Sequence, residues 1–129
     1  MRKKLIGAYC KGACMAAALL SVAALAKAQE AAPVFPPLSA ITLKGGVFPI
    51  QGNLRKVAIG LNKDQTRDLL GVPHFDEGFW RVRAWNYLFK FRKGNDIVSC
   101  QYQVQFDDDM LVAGAYWKEQ ECANFVASN

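Results

Sequence analysis

The sequence predicts an α+β fold, two short helices packed on a three-stranded antiparallel β-meander, and three observations predict it. Asn62 to Leu70 carries its own helix-start signal. Residues 83–91 and 97–106 alternate apolar and polar side chains with a period of two. Short turn-forming strings, Arg92-Lys93-Gly94-Asn95 and Asp107-Asp108-Asp109, join the strand-like runs, and connections that short impose antiparallel pairing.

The first helix is read from Asn53, because Leu54, Val57, Ala58 and Leu61 form an i, i+3, i+4, i+7 apolar stripe and Gly60 is placed to terminate it. The second begins at Asn62, whose side chain can accept a backbone N–H while Gln65 reaches back, an Asn form of the capping box. Gly71 and Pro73 end it. Thr66 lies within this helix, where its hydroxyl can bond the Asn62 carbonyl. Each helix offers about two turns and needs a sheet to hold it. Trp85, Tyr87 and Phe89 share one face of the first strand. In the second, Val98, Cys100, Tyr102, Val104 and Phe106 oppose Ser99, Gln101, Gln103 and Gln105, and the glutamines are expected to face solvent. A third strand runs from Met110 to Lys118. The core is expected to draw on Leu54, Val57, Leu61, Leu69, Leu70, Trp85, Tyr87, Phe89, Val104 and Phe106.

Upstream of this unit the composition changes twice. Arg2, Lys3 and Lys4 precede an apolar run from Ala13 to Leu25, and Ala26-Lys27-Ala28 has the form of a cleavage site, so residues 1–28 read as a secretory signal peptide, with an uncleaved membrane anchor as the alternative. No cysteine stands just after the apolar run, since Cys10 and Cys14 precede or open it, which argues against lipid attachment. Residues 29–40, rich in Ala and Pro, read as a flexible tether, and 41–129 as the folded domain. Residues 41–50 carry Gly45-Gly46 and Pro49 and are expected as an irregular arm along that domain.

Removing the leader changes the charge argument. The net charge of +5 includes Arg2, Lys3, Lys4, Lys11 and Lys27. The rest of the chain holds 11 basic and 11 acidic residues and is formally neutral, which removes the support for nucleic-acid binding. Cys10 and Cys14 leave as well. Cys100 and Cys122 remain, and in an oxidising periplasm they are expected to form a disulfide, with free or intermolecular thiols as the alternative.

Little in the chain points to catalysis. His74 is the only histidine and reads as a polar loop residue, without a second His or thiolate nearby to complete a metal set. Asp107-Asp108-Asp109 fails calcium-loop spacing and reads as a charged turn. No cofactor is expected. The informative feature is the aromatic load of residues 72–83, where Phe75, Phe79 and Trp80 either fold back over the core or form a patch for a partner, with Arg81 at its rim.

Several strings carry a resemblance: Gly60-Leu61-Asn62-Lys63-Asp64-Gln65, Leu69-Leu70-Gly71-Val72-Pro73, Phe79, Trp85-Asn86-Tyr87-Leu88-Phe89 and Val104-Gln105-Phe106-Asp107. In this order they resemble the SmpA/OmlA domain, the BamE-like family, from about Asn53 to Trp117. Pro73-His74-Phe75, Glu77-Gly78-Phe79 and the cysteine pair resemble the subgroup found beside OmpA-like domains. The resemblance implies a non-enzymatic periplasmic protein, associated with the outer membrane, that supports assembly and insertion of β-barrel proteins. It implies binding to components of that machinery and contact with anionic phospholipid. Gln51-Gly52-Asn53 resembles a partner-binding segment of the family. The expected contact residues are therefore Phe75, Phe79, Trp80, Arg81, Gln51 and Asn53. Two other functions fit the plan: an inhibitor-like module resembling proteins that grip β-lactamases, and a thiol redox protein using Cys100 and Cys122.

Overall fold

The computed structural model describes residues 32–77 and 83–127. Strands β1 (Ala84–Lys93), β2 (Asp96–Phe106) and β3 (Val112–Trp117) form an antiparallel meander in the order β1-β2-β3. Helices α1 (Gln51–Leu54) and α2 (Lys63–Leu70) precede it, and a 3-10 turn (Gln120–Ala123) leading into α3 (Asn124–Ala127) follows. This is the α+β plan the periodicity predicts.

Side-chain alternation sets the layers. Trp85, Tyr87, Phe89 and Phe91 of β1 pair with Val104, Tyr102, Cys100 and Val98 of β2, so one continuous apolar face is presented to the helices. Trp85, Tyr87, Phe89 and Val104 are each at most 1% exposed. Tyr87 stacks on Phe89 at 5.3 Å, and Trp85 meets Phe106 edge-on at 5.0 Å. Leu54 and Leu70 close the core from the helices, while Val57, Leu61 and Leu69, also expected there, pack against it partly buried.

The second helix obeys its sequence signals. Asn62 Oδ1 accepts the Gln65 N–H at 2.9 Å and Gln65 Oε1 accepts the Asn62 N–H at 3.0 Å. The Thr66 hydroxyl donates to the Asn62 carbonyl at 2.8 Å, which satisfies a polar group that is fully buried. Gly71, at φ +79, ends the helix in the left-handed region.

The first helix differs from the expectation. It starts earlier, at Gln51, and ends at Leu54, so Asn53 lies inside it and not at its cap. The Ile50 carbonyl already accepts the Asn53 and Leu54 N–H groups, and the chain then tightens into i→i+3 bonds from Lys56 and Val57. Only Leu54 is buried, and one anchor does not sustain a longer helix.

Two further expectations are corrected. Gln101 and Gln103 are not at a solvent face; each is 2% exposed. Residues 34–37, expected within a flexible tether, cover them: Gln103 Nε2 donates to the Val34 carbonyl and Gln101 Nε2 to the Pro36 carbonyl, both at 2.8 Å. His74, expected as a polar loop residue, does lie in a connecting bend but is 2% exposed, because it closes the edge of β1. Its backbone N–H donates to the Asn86 carbonyl and its Nδ1 accepts the Leu88 N–H, both at 2.9 Å. Val47 continues this role, with its N–H on the Leu88 carbonyl and its carbonyl accepting from Lys90. An outer strand edge is thereby satisfied without a fourth strand. The 41–50 segment does run along the domain, as expected.

Cys100 and Cys122 are bonded and fully buried, fastening the C-terminal turn to β2. Phe125 of α3 stacks on Phe91 at 4.9 Å, and Arg55 Nη1 donates to the Val126 carbonyl at 3.0 Å. The sequence offered no periodic signal for this short element.

Candidate functional site

A strand-edge segment and a helix end meet beside the β1 edge. Val47, held there by its bonds to β1, is followed by Phe48, Pro49 and Ile50, which lead into α1. These residues face the C-terminal end of α2 across a cleft of about 280 Å³, lined also by Asn53, Arg67, Leu69, Gly71 and Phe89.

The cleft rim is apolar and open. Phe48 is 51% exposed, Ile50 70% and Val72, next to the lining Gly71, 61%. Pro49 and the bonded Val47 hold the segment in place, so the exposed side chains are presented on a defined backbone. Charge sits at the border. The Arg92 guanidinium lies 5.3 Å from the Phe48 ring centre. Arg67 lies 5.2 Å from that of Trp85 and pairs with Asp64 at 3.6 Å. An apolar centre with a charged border is the usual composition of a protein-binding surface.

Asn53 lines this cleft and Gln51 opens the adjacent helix, both half-buried. Phe75 takes the other course open to it and folds inward. It is 3% exposed and forms an antiparallel bridge with Ile41, so it supports the loop and does not reach the surface. Phe79, Trp80 and Arg81 lie outside the described residues. Phe48, Ile50 and Val72 are contact candidates that sequence reasoning passed over. Their signal was three apolar residues in stretches with no helical or strand period, a pattern that leaves side chains without a core to enter.

The described residues offer little for chemistry. Among them no group of three or more His, Cys, Asp or Glu could hold a metal ion. The His74 imidazole packs edge-on against Tyr87 at 5.2 Å and Phe89 at 5.8 Å, and burial pulls its pKa below 6.5. It closes the strand edge, and it is not among the residues lining the cleft. The two sulfurs form a buried disulfide with no exposed thiolate. Asp107 Oδ1 accepts the N–H groups of Asp109 and Leu111, and Asp108 pairs with Arg83, so the acidic turn is a structured hairpin connection.

The structure is thus a small α+β module, with helices on one face of an antiparallel sheet and an open apolar cleft at the sheet edge. The family model for the outer membrane protein assembly factor BamE domain matches residues 46–115, and the chain belongs to that family. The family's role is non-enzymatic: its members act in outer membrane protein assembly with the β-barrel assembly machinery, as periplasmic proteins associated with the outer membrane. The match starts at Gly46 and so takes in the whole cleft segment.

Proposed function

We propose that this chain engages a protein of the β-barrel assembly machinery through the cleft formed by residues 47–53 and the end of α2. The exposure of Phe48 and Ile50 on a backbone fixed beside β1 carries this reading, since large apolar side chains held in water become favourable only when covered. Gln51 and Asn53 supply polar contacts near it, with Phe79, Trp80 and Arg81 as further contact residues. The protein is exported across the inner membrane and its leader removed after Ala28. Anionic phospholipid is a further ligand by the same resemblance, and Pro73-His74-Phe75 with the cysteine pair supports a place in the subgroup associated with OmpA-like domains.

The test is a crosslinking pull-down from native envelopes, with mass spectrometry reading the captured proteins and the N-terminus of the bait. Recovery of β-barrel assembly components with a bait beginning at Gln29, and their loss with Ile50→Asp, is the expected result. Capture unaffected by Ile50→Asp would remove the cleft from the interface. Capture of a single hydrolase in their place would favour the inhibitor-like function.

A further inference from the structure

The face of the sheet opposite the helices carries an extended segment of the chain itself within residues 32–40, here called the arm. Gln101 and Gln103 lie two apart on β2, and each donates its Nε2 to a carbonyl of the arm, Pro36 and Val34 respectively. Arm and strand therefore run antiparallel, with the same two-residue repeat of roughly 6.6 Å in each. The amides are not free to turn. Lys118 Nζ donates to Gln101 Oε1 at 2.8 Å, and Gln105 Nε2 donates to Gln103 Oε1 at 2.9 Å, which leaves only the NH₂ groups to face the arm. Gln103 Nε2 also donates to Asn86 Oδ1 at 2.9 Å, locking its plane.

All of these orienting partners belong to the sheet or its immediate end, so the donor pair stays set when the arm is absent. The arm brings little beyond two carbonyls. None of residues 32–40 is buried, and Val34 is 82% exposed. Two hydrogen bonds and a few half-covered side chains hold it, and water can satisfy both glutamine amides once it leaves. Recognition is of backbone, at alternate residues, with no demand on side-chain identity.

We infer that this glutamine face is a binding site for an extended, proline-containing segment of a partner protein, which the chain's own residues 34–37 occupy until displaced. The arm shows the chemistry of the occupant: carbonyls two residues apart, a backbone kept extended by proline, and small or apolar side chains of which Val34 is left in water.

The probe is a synthetic peptide of residues 32–40 carrying a nitroxide at its N-terminus. It is added to the leaderless chain, and to the same chain with residues 33–37 replaced by a Gly-Ser sequence of equal length. Paramagnetic broadening of the Gln101 and Gln103 side-chain amide signals is read by NMR. Saturable broadening is expected in both proteins, at roughly tenfold or higher peptide concentration in the first, where the attached arm competes. Gln103→Leu should weaken binding by about tenfold, as expected for one lost hydrogen bond near the upper end of its usual worth. Binding confined to the Gly-Ser chain would overturn displacement and make the arm a permanent cover. Absence of broadening in both proteins at millimolar peptide would overturn the site, and so would failure of the Gly-Ser chain to fold combined with no broadening in the unaltered chain.

Discussion

The imidazole Nδ1 of His74 accepts the backbone N–H of Leu88 at 2.9 Å, so a side chain stands where a neighbouring strand would place a carbonyl. The neutral ring then carries its proton on Nε2, and protonating Nδ1 removes the acceptor from the β1 edge. Burial pulls the folded-state pKa below the 6.5 of an exposed imidazole. The unfolded chain thus binds the proton more readily. Stability from this group is complete above about pH 6.5 and is lost as pH falls from there through the folded-state value. Buried Tyr102, raised to about 12, gives the opposite limb, with stability complete below pH 10 and declining as pH rises toward 12. Urea unfolding midpoints measured across pH should show a plateau between these limits, and His74→Gln should flatten the acid limb alone.

Reduction of Cys100–Cys122 opens a loop spanning 22 positions, and the chain-entropy relation gives a loss of about 3 kcal/mol. Unfolding midpoints with and without reductant measure it. An unchanged midpoint would mean that the C-terminal turn is held by Phe125 on Phe91 without help from the bond.

Gly46 sits at φ +64, and a Cβ there would meet the Leu88 carbonyl oxygen at 2.5 Å. Gly46→Ala therefore strains the backbone and pushes the Val47 segment off β1. A loss of roughly 2 kcal/mol or more is expected in chemical denaturation, with reduced partner capture because the same segment carries Phe48 and Ile50.

Asn62→Ala removes one member of the reciprocal cap and should cost about 1 kcal/mol, read as a lower unfolding midpoint. Gln65→Ala should cost less, since the Asn62 side chain would still accept from residue 65.

Trp80→Asp should abolish partner capture with little change in melting temperature if the indole belongs to the contact surface. A large fall in melting temperature would instead assign Trp80 to the core.

Periodicity made the sheet and its apolar face legible, because alternation over ten residues has few other readings. The Asn62 cap was legible for the same reason: both its partners lie within four residues. Asn53 misled, since an Asn before an apolar stripe is a cap only where the preceding carbonyl has not already closed a turn, as that of Ile50 does. His74 and the glutamines misled through their partners. His74 meets Leu88 fourteen positions away and Gln103 meets Val34 sixty-nine away, and no local pattern encodes such a meeting. The family strings pointed to Gln51 and Asn53, of which Asn53 lines the cleft and Gln51 opens the adjacent helix, but the apolar rim of Phe48 and Ile50 follows only from where β1 holds Val47.

The disulfide also decides which parts of the chain can be trimmed. It closes a ring that contains most of β2 and all of β3, while the arm, α1, α2 and β1 stand outside it on the N-terminal side. An envelope protease working inward from the C-terminus meets a covalent stop at Cys122, whereas one entering near the arm can strip residues without cutting the ring. Turnover of the protein should therefore proceed from its N-terminal end, leaving the β2–β3 ring as the last fragment to disappear.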